Sequence, residues 1–227
     1  MHVLCCDLEG VFVPEIWINV AEKTGIEELR LTTRDISDYN VLMRKRLGIL
    51  EAEGLKLQDI QAVIATMEPL PGALEFLDWM RAASQVIVVS DTFVQFADPL
   101  MQKLKRPTLF CNTLKVAPDG RVVDYRLRQP DGKRKVVEGL QRMNFKVVAM
   151  GDSYNDITML KTAERGFLFC PPANVIDEFP EFPVTTTYGD VANAGVVLIA
   201  RRMGSIGEHI ANPWFAIAAA TSWGVSP

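Results

Sequence analysis

The chain contains four runs of mostly apolar residues, and three of them end at hydroxyl or carboxylate groups. The runs are Val3–Cys6, Val86–Val89, Lys146–Met150 and Gly166–Cys170. Such runs are typical of strands buried on both faces of a parallel sheet, and segments with helical periodicity separate them. The alternation predicts an α/β fold with a doubly wound, Rossmann-like parallel sheet, in which ligands bind at the carboxyl ends of the strands.

Residues 14–68 interrupt this alternation, because they contain no run of the buried-strand type. The helices predicted from their apolar spacing cover 16–23, 41–51 and 57–66. We therefore expect a small helical cap domain over 14–68, inserted after the first strand of a core domain that comprises 1–13 and 69–188.

A β-hairpin is predicted at 114–128, where apolar and polar residues alternate on either side of Pro118-Asp119-Gly120. The Asp-Gly pair is a strong turn signal between two alternating segments. The hairpin would add an antiparallel element to the otherwise parallel sheet.

Composition restricts the partners of the chain. It has 24 basic and 28 acidic residues, so it lacks the positive field that binding to nucleic acid or an anionic membrane usually requires. The apolar tail, 189–227, has uncharged stretches that are too short for a membrane span. The sequence of this tail is compatible with three roles: it could pack on the core, mediate self-association as a homodimer, or be poorly ordered.

Cysteine usage favours a reducing compartment. The four cysteines are Cys5, Cys6, Cys111 and Cys170. They show no metal-ligand spacing, and nothing at the N-terminus resembles a signal peptide. We expect reduced, mostly buried thiols in a cytoplasmic protein.

Two carboxylates, Asp7 and Glu9, follow the first run, and Gly10 allows the chain to turn there. Strand alternation would separate their side chains, but a turn can bring both to one site. Beside a metal ion, they could then divide the work as nucleophile and acid/base. An ordinary turn at a strand end is the alternative interpretation.

The third run leads into the segment 151–156, Gly-Asp-Ser-Tyr-Asn-Asp. Its two carboxylates, Asp152 and Asp156, are four residues apart, which can place one on a metal ion and the other behind it. A helix N-cap at Asp152 or Ser153 explains the segment equally well.

Two further positions could meet an anion. Ser90 ends the second run, where its hydroxyl could donate to a phosphate oxygen or cap the helix that follows. Lys133, Arg134 and Lys135 open a predicted helix, where basic residues oppose the helix dipole unless one of them faces an anion. A solvated run of charges is the alternative there.

Taken in order, Asp-x-Glu-Gly, Ser90, Lys133 and Gly-Asp-x-x-Asn-Asp resemble the motifs of the haloacid dehalogenase superfamily of phosphohydrolases. Glu15, the segment 43–47 (Met-Arg-Lys-Arg-Leu) and the Asn-Asp ending resemble its phosphoserine phosphatase branch. The segments Asp-Leu-Glu-Gly-Val, Val-Pro-Glu-Ile-Trp, Ser-Asp-Thr-Phe and Gly-Asp-Ser-Tyr-Asn-Asp resemble above all its bifunctional members, which also transfer phosphate to homoserine. The resemblance covers residues 1–188.

The resemblance implies that Asp7 attacks the phosphorus of a phosphomonoester and becomes an aspartyl-phosphate. It implies that Asp7, the backbone carbonyl of Glu9 and Asp152 hold Mg²⁺. Asp156 would not contact the ion, but would orient Lys133 or a water bound to the metal. Glu9 would serve as general acid/base, and Lys133 would offset the charge of Asp7.

The implied binding residues fall into two groups. The groups that would bind phosphate are Ser90, Asp91, Lys133 and Asn155. In the insert, Glu15 would meet the ammonium of the substrate and Arg46 its carboxylate, as an amino-acid phosphate requires. The residues alone favour a surface helix charge at Arg46.

Two departures from the family pattern concern Glu9 and Asp91. Glu9 stands where most members have Asp, and the additional methylene moves the acid by about 1.5 Å. Less efficient activation of water would then leave the phospho-enzyme available to a second alcohol such as homoserine. Asp91 stands where ordinary phosphoserine phosphatases tend to have glycine, so a carboxylate lies at a position of backbone contacts to substrate.

The sequence thus predicts a Mg²⁺-dependent phosphatase for O-phosphoserine, with homoserine as a second acceptor left open. One alternative is a phosphatase for another small phosphate such as a phosphosugar, which has no ammonium or carboxylate for Glu15 and Arg46. Another is a phospho-receiver signalling module, which would carry the phosphoacceptor on a later strand and no helical insert.

Overall fold

A computed structural model describes residues 1–32, 35–36 and 38–191 of the chain. The strands are β1 His2–Cys6, β2 Gln85–Phe93, β3 Thr108–Val116, β4 Val122–Arg126, β5 Lys146–Gly151, β6 Arg165–Phe169 and β7 Val184–Thr185. The α-helices are α1 Ile16–Thr24, α2 Tyr39–Ala52, α3 Leu57–Ala65, α4 Ala73–Ala83, α5 Val94–Lys103, α6 Gly132–Arg142, α7 Ile157–Thr162, α8 Ala173–Glu178 and α9 Tyr188–Val191. Two 3₁₀ turns cover Glu27–Arg30 and Tyr154–Asp156.

The strands form one sheet in the order β4-β3-β2-β1-β5-β6-β7. All neighbouring pairs are parallel except β3 with β4. The chain builds the sheet outward from β1 in one direction through β4 and then returns to β5, so the topological switch point lies between β1 and β5. Ligands of open α/β sheets bind at this point. The predicted α/β class and parallel sheet are confirmed.

Alternate residues of β1 face the two sides of the sheet. Leu4 and Cys6 belong to one buried apolar cluster, and Val3 and Cys5 belong to the other. The first cluster extends from the sheet into helices α1 to α3 and includes Ile16 there. The second cluster packs the sheet against α6 and α7. The helices of 14–68 therefore share a continuous core with the sheet, and their separation as a cap domain stays a prediction.

The predicted hairpin is confirmed by β3 and β4, whose antiparallel pairing joins Leu114 to Tyr125. Its turn touches the helical insert, because the backbone N–H of Leu57 donates to the carbonyl of Gly120 at 2.9 Å. Nearby, Arg44 of α2 forms an ion pair with Asp124 at 3.1 Å. The hairpin thus connects the edge of the sheet to the insert.

The structure corrects the end of the second strand. The sequence predicted that it stops at Ser90, but β2 continues to Phe93, with a register shift against β3 after Val89. Sequence reasoning also missed the first half of β3, the short β7 and helix α5, which contains Pro99. The tail predicted from residue 189 lies, beyond Val191, outside the described residues.

All four cysteines are free thiols. Cys5 and Cys6 are buried, Cys111 is half-buried and Cys170 is exposed, so the expectation of burial holds for the pair in β1. No helix in the described ranges, 1–32 and 38–191, is long and apolar enough to cross a membrane.

Two glycines give a matched test of this packing. A Cβ at Gly166 would lie 2.7 Å from the Cβ and the carbonyl oxygen of Leu160, where β6 packs on α7. A Cβ at Gly139 in α6 would meet no described atom within 4 Å beyond the adjacent helix backbone. We expect Gly166→Ala to lower the free energy of unfolding by about 1–3 kcal/mol through overpacking. Gly139→Ala should raise it by about 0.5–1 kcal/mol through helix propensity.

Urea denaturation followed by circular dichroism measures both changes. Equal effects of the two substitutions would contradict the close approach of β6 to α7.

Candidate active site

The candidate nucleophile, Asp7, directly follows β1 at the switch point. Its backbone N–H donates to the carbonyl of Met150 in β5 at 2.9 Å, which fixes the strand end. Its Oδ1 accepts from the backbone N–H of Leu8 at 2.7 Å. Asp7 is buried, with 4% of its surface exposed. A carboxylate in this position is held in a defined orientation at the ligand-binding edge of the sheet.

The ammonium of Lys133 lies between two buried carboxylates. Its Nζ is 2.9 Å from Oδ2 of Asp7 and 2.7 Å from Oδ1 of Asp156. All three side chains are almost fully buried. The prediction that one of the basic residues opening α6 faces an anion is confirmed, and that residue is Lys133.

The pKa values of the cluster reflect its burial and its excess of negative charge. Burial raises the pKa of Asp7 well above its usual range, and so does the charge of Asp156, whereas Lys133 opposes them. Burial and then Asp156 raise the pKa of Asp152 to about 7. For Lys133, burial lowers the pKa, but the carboxylates of Asp156, Asp7 and Asp91 outweigh it and the net shift is upward.

One carboxylate oxygen each of Asp7, Asp152 and Asp156 lies within 4.8 Å of the others, which suits a shared cation. Asp156 is the most fully bonded of the three: Oδ1 accepts from Lys133, and Oδ2 accepts from the backbone N–H groups of Asp152 at 3.0 Å and Ser153 at 3.2 Å. Oδ1 of Asp152 is buried and has no hydrogen-bond partner among the described residues. The candidate ligands are therefore Asp7 and Asp152, with Asp156 behind them.

Glycine at two positions permits this approach of carboxylates. Gly10 has φ +73°, and a Cβ there would lie 2.5 Å from the carboxylate carbon of Asp152. A Cβ at Gly151 would lie 2.3 Å from the carboxylate carbon of Asp156. A carboxylate cluster with an orphaned buried oxygen and a surplus of negative charge fits a hard divalent cation, which prefers oxygen ligands.

The second acid of the first motif, Glu9, contacts the insert. Its Oε2 accepts from the backbone N–H of Ile16 at 2.8 Å. Burial, and then the neighbouring charge of Glu15, raise the pKa of Glu9 to about 8. Glu9 is thus protonated near neutral pH, as a general acid must be.

A cavity of about 380 Å³ opens beside these groups and is lined by Glu9, Glu15, Arg46, Asp91 and Asp152, among others. Arg46 is 6% exposed, so the interpretation as a surface charge is wrong. Its guanidinium donates to the carbonyl of Leu31 at 2.7 Å and stacks on Trp17 at 4.6 Å from the ring centre. Its Nε has no hydrogen-bond partner among the described residues.

Ser90 is buried in β2 at the same edge of the sheet, since the register opposes Cys6 to Val88 two residues earlier. Its hydroxyl accepts from the backbone N–H of Thr92 at 3.2 Å. It does not cap the following helix, because β2 runs on to Phe93 and α5 begins only at Val94. The capping interpretation is therefore wrong.

Asp91 and Asn155 meet beside the cluster. The side-chain amide of Asn155 donates to Oδ2 of Asp91 at 3.0 Å, and the same oxygen lies 3.8 Å from Nζ of Lys133. The main-chain carbonyl of Asp91 accepts from the hydroxyl of Tyr39 at 3.1 Å and the side-chain amide of Asn112 at 3.0 Å.

Sequence reasoning missed Tyr39, Asn112 and Trp17. Tyr39 and Asn112 reach Asp91 from segments 52 and 21 residues away, and Trp17 supports Arg46 across the insert. Tyr39 and Trp17 lie in the predicted insert, but no local pattern distinguishes them from ordinary core aromatics.

Comparisons with known proteins show the family of the chain. The model of the haloacid dehalogenase-like hydrolase family matches residues 17–161. The chain is 56% identical over 191 residues to the phosphoserine phosphatase ThrH of Pseudomonas aeruginosa, covering 84% of this chain and 93% of that protein. It is also 56% identical over 191 residues to a phosphoserine phosphatase of Pseudomonas syringae pv. tomato, covering 84% and 81%.

Two solved structures share the fold. A phosphoserine phosphatase in apo form has a TM-score of 0.70 at 22% identity, over 85% of this chain and 98% of that one. A phospho-aspartyl intermediate analogue of a phosphoserine phosphatase has a TM-score of 0.66 at 23% identity, over 81% and 91%. At these identities the likeness concerns the fold alone. The family model and the relatives at 56% identity show that the chain belongs to the haloacid dehalogenase-like hydrolases, in their phosphoserine phosphatase branch.

Proposed function

We propose that the chain is a Mg²⁺-dependent phosphoserine phosphatase that forms an aspartyl-phosphate on Asp7. The observation that carries the proposal is the buried contact of Asp7 with Lys133, at 2.9 Å, beside a cavity lined by Glu15 and Arg46. The two Pseudomonas relatives, which bear the name phosphoserine phosphatase, support the substrate.

The first half-reaction requires an ionised Asp7, which the contact with Lys133 favours, and a stabilised phosphoryl group. The oxygen of Asp7 bonds to phosphorus as the ester bond to the seryl oxygen breaks. Lys133 and the Ser90 hydroxyl bind the transferring phosphoryl oxygens, with Asn155 beside them. Asp156 orients Lys133 through its 2.7 Å contact.

Glu9 acts as general acid in the first half-reaction and as general base in the second. Its raised pKa, about 8, leaves it protonated, so it can donate to the departing seryl oxygen. It then accepts the proton of the water that attacks phosphorus and releases Asp7.

Mg²⁺ would be held by Asp7, Asp152 and the backbone carbonyl of Glu9. A bound Mg²⁺ supplies positive charge that offsets the negative charge gathering on the phosphoryl group. The orphaned Oδ1 of Asp152 supports this assignment.

The substrate groups are assigned to the proposed cap, 14–68. Glu15 would bind the ammonium and Arg46 the carboxylate of phosphoserine. Arg46 stays charged, since burial lowers its pKa only to about 10. Both residues line the cavity that Glu9 and Asp152 also line, which favours an amino-acid phosphate over a phosphosugar. A receiver module is disfavoured by the nucleophile on β1 and by the helical insert.

Homoserine is a second acceptor within this proposal. The feature that favours it is Glu9, whose side chain is one methylene longer than the Asp of most family members and accepts from the backbone N–H of Ile16 at 2.8 Å. The longer side chain would activate water less efficiently and leave the phospho-enzyme available to a second alcohol. A homodimer remains a further prediction from the apolar tail.

The proposed activity predicts selective phosphate release. With Mg²⁺ present, we expect phosphoserine to be hydrolysed faster than phosphothreonine or sugar phosphates.

Asp7→Asn should reduce kcat by at least about a thousandfold, because it removes the nucleophile. Rapid acid quench and mass spectrometry should find one phosphoryl group on the wild-type peptide that contains Asp7. Asp177→Asn, at an exposed position on α8, should retain activity. Preferred release from a phosphosugar would overturn the assigned substrate.

The metal site predicts different effects for two glycines with the same backbone conformation. Gly10 and Gly25 have φ +73° and +74°, so alanine strains both equally, but only at Gly10 does the new Cβ meet Asp152. We expect Gly10→Ala to weaken Mg²⁺ binding by at least about tenfold and Gly25→Ala to leave it unchanged.

Calorimetric titration with Mg²⁺ in the absence of substrate measures this difference. Asp152→Asn gives a second variant, should Gly10→Ala not fold. Wild-type affinity in both variants would rule out Asp152 as a ligand.

The length of Glu9 predicts how the phosphoryl group is partitioned. Glu9→Asp shortens the side chain by about 1.5 Å and should shift products from phosphohomoserine towards inorganic phosphate. ³¹P NMR of reactions with phosphoserine and homoserine separates the two products. An unchanged ratio would show that Glu9 does not control the acceptor.

A further inference from the structure

The sequence placed Asp91 among the groups that would bind phosphate, and in the structure its carboxylate contacts two of the others. Its Oδ2 accepts from the amide of Asn155 at 3.0 Å and lies 3.8 Å from Nζ of Lys133. Asn155 and Lys133 are two of the groups assigned to the phosphoryl oxygens. One carboxylate oxygen of the protein therefore already contacts both.

The position of Asp91 is set by its main chain and not by its carboxylate. Tyr39 and Asn112 both hold the carbonyl oxygen of this residue, at 3.1 and 3.0 Å. The side chain is 39% exposed and lines the substrate cavity. It also lines a second cavity, of about 740 Å³, together with Lys133 and Asn155. A side-chain substitution can thus remove the charge while the backbone contacts stay.

The positive charge of Lys133 is largely neutralised by neighbouring carboxylates before any phosphate binds. The ammonium is already bonded to Asp7 and Asp156, and Asp91 adds a third carboxylate within 4 Å. A phosphate oxygen that takes the amide of Asn155 must displace Asp91. The displaced carboxylate then lies beside an anion of the same sign, which raises the energy of the bound state.

We propose that Asp91 is a specificity-determining residue that competes with phosphate for Lys133 and Asn155 and thereby weakens the binding of inorganic phosphate. The proposal rests on the proposed function, since that function assigns the phosphoryl group to these two residues.

The competition acts on every phosphate, but its consequences differ between substrate and product. An amino-acid phosphate also has Glu15 and Arg46 to bind, so it keeps useful affinity. Inorganic phosphate has only the phosphoryl ligands, so it is bound weakly and released readily. Weak binding of the ground state also avoids a deep energy well before phosphoryl transfer. Asp91 therefore limits inhibition by the product.

Substitution of Asp91 provides the test. We expect Asp91→Asn to tighten the binding of inorganic phosphate by about tenfold in the presence of Mg²⁺, because it removes a like charge. The inhibition constant of phosphate against phosphoserine hydrolysis should fall by the same factor. Asp177→Asn makes the same change of net charge at an exposed site on α8 and should alter neither value. Asp91→Ser serves as a second neutral variant if Asp91→Asn does not fold.

A double-mutant cycle separates competition from a structural role. If Asp91 occupies the amide of Asn155, Asn155→Ala should cost more phosphate affinity in the Asp91→Asn background than in the wild type. Isothermal titration calorimetry with inorganic phosphate measures all four proteins.

Phosphate binding by the neutral variants decides the role of Asp91, and hydrolysis of phosphoserine by the wild type decides the proposed function. Unchanged or weaker phosphate binding in both neutral variants overturns the proposal, and so does an additive cycle. If the wild type hydrolyses phosphoserine under these results, the proposed function stands without the role of Asp91. If the wild type does not hydrolyse phosphoserine, and Lys133→Met leaves phosphate binding unchanged, the proposed function fails as well.

Discussion

The buried ammonium of Lys133, held between Asp7 and Asp156, is the interaction on which the site depends. A charge removed from water is tolerated only when partners replace the lost solvation. Lys133 satisfies this with contacts of 2.9 and 2.7 Å, and the two carboxylates depend on it in turn. The end of β1, the start of α6 and the turn after β5 must therefore meet at one point. The strand order, with β1 between β2 and β5, makes that meeting possible.

The cluster keeps a surplus of negative charge that Lys133 does not balance. Burial and mutual repulsion raise the pKa values of Asp7 and Asp152, and one oxygen of Asp152 has no partner among the described residues. Gly10 and Gly151 allow the carboxylates to approach closely enough for this to arise. Carboxylates perturbed in this way are typical of functional sites, and a bound divalent cation would offset the surplus charge.

Under the proposed function, the site divides into an end for the amino acid and an end for phosphate. Arg46 is buried on Trp17 with an unpartnered Nε, and Glu15 lines the same cavity. At the other end, Asp91 contacts the groups that phosphate would use. The first end would attract the amino acid, and at the second the carboxylate of Asp91 would compete with phosphate. Such a division favours a ligand that engages both ends over the bare anion, which engages one.

Local sequence patterns were enough to predict the class of the fold, the hairpin at Asp119-Gly120 and the residues proposed to carry the chemistry. Apolar runs, a turn dipeptide and the order of motifs are properties of the sequence alone, so they can be recognised without knowing which residues meet in space. Three features became visible only in the folded chain: β2 continues through Ser90 to Phe93, Arg46 is buried, and Asp91 meets Asn155. These features depend on contacts between residues distant in the chain. The energy of a polar residue in a strand or of a buried cation is set by its neighbours in space, which no local pattern specifies.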